Sequence, residues 1–247
     1  MTKGQTLHTL PGSSQFPTTR WTLVVAVGDP YRKEARSALV SLCDNYWYPL
    51  YAYLRRRGYP VDRAQDLTQE FFMRVLEGRY LDRANPEKGR FRSFILTSLK
   101  FFVADEEDRQ CARKRGGGMI VPLEFSSGEE RYQREPGHDE TPERIFERRW
   151  ALSMLERVMG RLRDEFVHHG HPEHFERLKV FLLGQSEAPY AALAREMNTS
   201  EGALKVAIHR LRKRYRDLFR QEIADTVADP AEVDSELRYL AAVLTRK

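Results

Sequence analysis

Apolar residues in this chain recur at steps of three and four along most of its length. That period marks one buried face of an α-helix. A short helix capped by Thr18 or Thr19 runs through Trp21, Leu23, Val24 and Val27 and ends at Gly28-Asp29-Pro30. Between 33 and 57, Leu39, Leu42, Cys43, Tyr46, Trp47, Leu50, Tyr51 and Leu54 keep the spacing. Pro49 falls inside that run and predicts a kink or a break, because proline lacks an amide proton and crowds the preceding turn. Gly58-Tyr59-Pro60 stops it. A third helix spans 62–77 with Gly78 as its stop, and 85–89 reads as a turn. Phe91, Phe94, Ile95, Leu99, Phe102 and Val103 then line one face of a long helix over 91–115, ended by three glycines.

The second half repeats the pattern after an interruption. Residues 116–142 hold Gly, Ser, acids and three prolines and read as a linker. Ile145, Phe146, Trp150, Leu152, Leu155, Val158, Met159 and Leu162 follow in helical period. The run HHGHPEH (168–174) interrupts it, and a helix resumes at Phe175. Residues 189–220 then read as a short helix, an Asn198-Thr199 turn and a second helix capped by Ser200, whose hydroxyl can accept from a free N–H of the first turn. Leu204, Ile208, Leu211, Tyr215 and Leu218 form its buried face. The tail carries one more amphipathic helix near 230–244, with Asp229 as cap and Val233, Leu237, Leu240, Val243 and Leu244 as its stripe. No internal repeat and no long strand-period run is found. The expected fold is all-α: two helical domains joined by an acidic linker.

Charge changes this picture through its distribution. The 247 residues are 41% hydrophobic and 31% charged, with a net charge of +5. Residues 204–220 hold seven Lys/Arg against the single acid Asp217, whereas 119–143 hold seven acids against two Arg. A two-helix unit with a cationic second helix fits a DNA major groove, and a basic patch favours phosphate. The two cysteines, Cys43 and Cys111, make neither a disulfide framework nor a zinc pattern. No apolar segment has the length of a signal peptide or a membrane span, so a cytoplasmic location without membrane insertion is expected.

Two further constellations carry chemistry. In DLTQEFF (66–72), Asp66, Gln69 and Glu70 share one helix face, apart from Leu67, Phe71 and Val75. Such a face suits a basic partner. Arg63 and Arg74 could equally pair with it within the helix. In FRSFILTSLKFFVADEEDRQCARKRGGG (91–118), aromatics and cations interleave: Arg92, Lys100, Phe101, Arg109, Arg113 and Lys114 among them. Stacking rings with phosphate-binding cations are how proteins hold unpaired strands. Most of these Phe residues belong to the periodic face, and Phe101 lies off it. His168, His169, His171 and His174 could offer metal ligands. With Gly170 and Pro172 among them they read as a solvated loop, and no metal, cofactor or catalytic constellation is expected.

The order of DLTQEFF, FRSFILTSLKFFVADEEDR, an acidic linker and TSEGALKVAIHRLRKR resembles bacterial RNA polymerase sigma factors of the extracytoplasmic function group. The resemblance spans about 18–223, and FPTTRWTLV and VADPAEVDSELRYL suggest a subgroup with added termini. It implies an N-terminal extension (1–30), a region 2-like bundle (31–116), an acidic linker (117–141), a region 4-like helix-turn-helix domain (142–223) and a C-terminal extension helix (224–247). It implies a non-enzymatic protein that lends promoter recognition and strand opening to core RNA polymerase. Asp66, Gln69 and Glu70 would dock on the β′ clamp helices, and the β flap would be a second contact. Arg92, Lys100, Phe101, Arg109, Arg113 and Lys114 would hold the opened downstream element. Lys205, Val206, His209 and Arg210 would read the upstream element, with Arg212, Lys213 and Arg216 on phosphates. An anti-sigma factor or other regulator is a further candidate partner. Phe94 stands where the family usually has Trp. The alternative is a conventional helix-turn-helix transcription regulator with a helical sensor or oligomerisation domain at its N-terminus.

Overall fold

The structure, a computed structural model, describes residues 40, 44–77, 80, 90–112, 125–134, 140–182, 190–227 and 229–245. Among them every regular element is helical. They are α1 (Trp47–Arg56), α2 (Val61–Leu76), α3 (Phe91–Ala112), α4 (Phe125–Gln133), α5 (Pro142–His168), α6 (Pro172–Leu178), α7 (Tyr190–Glu196), α8 (Glu201–Ala224) and α9 (Val233–Thr245). Short 3-10 turns follow α6 at Lys179–Phe181 and precede α9 at Pro230–Glu232. The short helix expected near 18–27, the turn at 85–89 and the glycine stop at 116–118 lie outside the described residues.

Of the kink or break expected at Pro49, the chain takes the break. Asn45 and Tyr46 form a turn, and α1 begins at Trp47, which puts Pro49 in the first turn. An amide there has no partner within the helix, so its absence costs nothing. α1, α2 and α3 bury a largely aromatic core. Tyr46, at its centre, meets Phe91 edge-on at 5.0 Å and stacks on Phe146 and Trp150, each at 6.4 Å. Each fully buried ring or large aliphatic side chain stabilises by roughly 1.5–3 kcal/mol.

α5 is the spine. Thr141 caps it by accepting from the Arg144 N–H at 3.3 Å, and Pro142 occupies its first turn. Its 27 residues span about 40 Å. Ile145, Phe146, Trp150, Ala151 and Met154 belong to the aromatic core. Val158 and Leu162 belong to a second core with Phe175, Leu178, Phe181, Ala194, Leu204, Ile208, Leu211 and Leu218. One uninterrupted helix therefore serves both cores. Gly160 lies just past the seam, with nothing within 4 Å of where a Cβ would stand.

Two elements return to the first core. Residues 125–133 lie in the stretch read from the sequence as a linker, and they form α4 against α1. Gly128 permits it, since a Cβ there would stand 3.1 Å from the Trp47 ring. Glu129 then accepts from Arg55 Nε at 3.0 Å, from Arg55 Nη2 at 3.1 Å and from the Tyr51 hydroxyl. α9 comes back from beyond α8, and its Val233, Leu240 and Val243 complete the same core. The Phe91 amide also donates to the Thr226 carbonyl at 3.3 Å, tying the turn after α8 to the start of α3. Among the described residues no helix is long and apolar enough to cross a membrane.

Candidate nucleic-acid interface

The helix-turn-helix forms where its spacing places it. α7 ends in a turn at Met197–Thr199, where Asn198 takes φ 51°. Asparagine tolerates that left-handed conformation better than most side chains. The Thr199 amide donates back to the Ala194 carbonyl at 2.9 Å, and the Ser200 hydroxyl accepts from the Ala203 amide at 3.2 Å. Leu204, Ile208, Leu211 and Leu218 are buried and Tyr215 is half-buried, as the period requires.

What remains of α8 faces outward. Lys205, Val206, His209, Arg210, Lys213 and Arg216 are all exposed, Val206 by 49%. A valine so placed can touch a thymine methyl, which polar side chains do poorly. Lys205 Nζ lies 5.6 Å from the Tyr190 ring centroid. His209, Arg210, Lys213 and Arg216 have no acidic partner among the described residues. Their neighbours along the helix are engaged. Arg212, expected to hold a phosphate, donates from Nε and Nη2 to the Phe181 carbonyl at 3.2 and 3.0 Å. Arg214 bonds Glu165 through both ends of its fork, at 2.9 and 2.5 Å. That hydrogen bond outweighs the effect of burial and holds the Glu165 carboxyl below its ordinary range. Arg220 reaches Asp234 of α9 at 2.5 Å.

The downstream set lies differently. Arg92 is buried, with Nε 2.6 Å and Nη2 3.3 Å from the two oxygens of Glu236. Its guanidinium stands 4.0 Å from the Tyr239 ring centroid and 5.4 Å from that of Trp150. Arg90 adds a third contact to Glu236 at 2.7 Å. Lys100 bonds Glu143 at 2.7 Å, which lowers the carboxyl's pKa. Arg109 bonds Glu106 at 2.9 Å. Phe101 is 55% exposed, as its place off the stripe predicts. Arg113 and Lys114 lie outside the described residues. The residues expected to hold an opened strand thus share one helix, but each described cation meets a carboxylate.

On α2, Asp66 is exposed, whereas Gln69 and Glu70 are half-buried. Glu70 pairs with Arg74 within the helix. Arg74 also reaches Glu106 of α3 at 2.6 Å and covers the Phe102 ring at 4.8 Å.

Sequence reasoning missed two features. A groove of about 540 Å³ opens between α5, α6 and the helix-turn-helix, floored by Leu162, Phe166, Leu178 and Leu211 and edged by Arg210 and Arg214. Its walls come from four separate stretches, so no local signal announces it. His171, Glu173 and His174 bring one ligand atom each to within 4.8 Å of the others. Glu173 was the overlooked member. Of the three, His171 and Glu173 are exposed and His174 is half-buried, and together they are one ligand short of a closed four-coordinate structural site.

No family model, curated protein or solved structure matches the chain.

Proposed function

We propose that the chain is a sigma factor, which binds core RNA polymerase and directs promoter recognition, strand opening and transcription initiation. The observation that carries this reading is the outward face of α8. Lys205, Val206, His209, Arg210, Lys213 and Arg216 lie exposed on a capped helix after a tight turn, and its four cations there make no ion pair among the described residues. Lys205 and Arg210 suit guanine O6 and N7, and Lys213 and Arg216 suit phosphates, which position without specifying. On the other core, Asp66, Gln69 and Glu70 offer an acidic face for the β′ clamp helices. The groove beside α8, floored by Leu162, Phe166, Leu178 and Leu211, is the seat this reading assigns to an element of the β flap. The tail helix and the two cores belong to one non-enzymatic assembly factor acting in the cytoplasm.

The rival is a conventional helix-turn-helix regulator, and one observation favours it. Arg92, Lys100 and Arg109 are all paired, so of α3 and α8 it is α8 that presents unpaired cations among the described residues. Run-off transcription with core polymerase separates the two. A sigma factor directs a discrete start site and binds core polymerase. Asp66→Lys with Glu70→Lys abolishes that association while the helical signal in circular dichroism persists. Tight binding of duplex operator by the chain alone, with no association with core polymerase, would overturn the proposal in favour of the regulator.

A further inference from the structure

The turn between α5 and α6 has a closely defined backbone. Gly170 takes φ 76°, its amide donates to the Val167 carbonyl at 3.0 Å, and the His171 amide reaches back to the Phe166 carbonyl at 2.9 Å. This pair of bonds is how a left-handed glycine closes a helix. Pro172 then opens α6, at a position where its missing N–H costs nothing. His171 is therefore the cap residue of α6, Glu173 lies in its first turn, and His174 stands three residues past the cap.

Side chains at the cap and three residues beyond it are neighbours in space, the relation that a capping box exploits. Here both positions hold imidazoles. The rings lie within 10° of parallel with centroids 5.0 Å apart, and one ligand atom from each falls within 4.8 Å of the other and of a Glu173 oxygen. The three side chains are not spent elsewhere among the described residues. His171 makes no side-chain cap bond, and Glu173 makes no ion pair. Arg177, one turn on from Glu173, donates to the Glu196 carbonyl at 3.0 Å instead.

Two imidazoles and a carboxylate favour a borderline transition metal such as zinc, whereas calcium and magnesium ask for a shell of oxygens. Zinc bonds of about 2.0–2.2 Å bring ligand atoms to about 3.4 Å apart in a tetrahedron. Side-chain rotation alone supplies that closure, since His171 and Glu173 are exposed. Three protein ligands leave the fourth position to water or an incoming donor.

We propose that His171, Glu173 and His174 form a zinc site, open at its fourth position, on the turn between α5 and α6. The site goes beyond the sigma reading and does not depend on it. His174 also lines the groove beside α8, so bound zinc fixes one side chain of that wall.

The test titrates zinc chloride into the full, untagged chain by calorimetry. One zinc is expected to bind per chain. His171→Ala, Glu173→Gln and His174→Ala are each expected to weaken it at least about tenfold, the loss that follows removal of even an outer partner of a ligand. His168→Ala and His169→Ala remove neighbouring imidazoles outside the cluster and are expected to leave affinity unchanged. Cobalt(II) chloride in place of zinc is expected to give visible ligand-field absorption that the double variant His171→Ala with His174→Ala lacks. Circular dichroism checks that each variant is folded. Should His174→Ala not fold, the exposed His171→Ala and Glu173→Gln decide by the same criteria. Absence of saturable zinc binding, binding that survives all three substitutions, or binding that follows His168 and His169 overturns the site. Run-off transcription judges the sigma reading separately, so the failure of one leaves the other standing.

Discussion

α3 and α8 look alike as strings of letters. Each is a long amphipathic helix whose polar face carries several arginines and lysines. In the folded chain they differ in what surrounds that charge. Along α3, Arg92 meets Glu236, Lys100 meets Glu143 and Arg109 meets Glu106. Along the outward face of α8, His209, Arg210, Lys213 and Arg216 meet no acid among the described residues, while Arg212 and Arg214 on its flank are engaged. The number of cations on a helix therefore says little about its availability to phosphate. The placement of carboxylates decides it: for Arg92 and Lys100 they come from α9 and α5, and for Arg109 from α3 itself.

The largest effect that can test this contrast is on stability. Arg92→Ala leaves Glu236 buried and without its main partner, a defect that typically costs about 3–5 kcal/mol. Arg210→Ala, by contrast, is expected to change stability by no more than about 0.5 kcal/mol, as exposed substitutions do. Urea denaturation of both variants measures the difference, and similar small values would erase the distinction between the helices. Next comes the pair Arg212 and Lys213, adjacent in sequence and opposed in role. Arg212→Ala removes two donors from the Phe181 carbonyl and is expected to cost about 1–3 kcal/mol of stability. Lys213→Ala is expected to leave stability alone and to lower the salt slope of duplex binding by about 0.9, the signature of one lost phosphate contact. Of similar size, but in specificity, Lys205→Ala or Arg210→Ala should relax base preference at a few upstream positions by about 1–3 kcal/mol each. Binding to a panel of single-base variants measures this, and a uniform loss across the panel would move those residues to the phosphate class.

The smallest effect is on pH dependence. Lys100 holds the Glu143 carboxyl below its ordinary value of 4.5 in the folded chain. A lowered carboxyl contributes its stability fully above the unfolded value and loses it as pH falls through the folded one. Thermal melts should therefore weaken below about pH 4.5. Glu143→Gln should flatten that limb, by at most about 1 kcal/mol because the pair is solvent-exposed. Lys213→Ala should leave it unchanged.

Period was enough to place α2, α3, α5, α8 and α9 in the sequence, because each buries a continuous stripe. Serine and asparagine chemistry placed the turn at 198–200. Three things were hidden for a common reason. α4 has no apolar period; it exists because Gly128 admits the Trp47 ring and Glu129 finds Arg55 and Tyr51. The stripe on α9 announces that it must be covered, but not that the first core covers it. Arg92 reads as a solvent-facing cation until Glu236, 144 positions away, arrives beside it. Pairings made across the fold leave no mark on local spacing.

The sharing of α5 by both cores has a mechanical consequence. Neither half can melt alone without stripping one end of a continuous rod, so heating should produce one calorimetric transition instead of two. The rod still has a compliant point. Gly160 sits just past the seam, and glycine in a helix interior costs about 0.5–1 kcal/mol relative to alanine. Since a methyl group meets nothing there, Gly160→Ala should stiffen and stabilise the chain together. The two halves rise and fall as one body thermally, yet the rod bends most cheaply just inside the second of them.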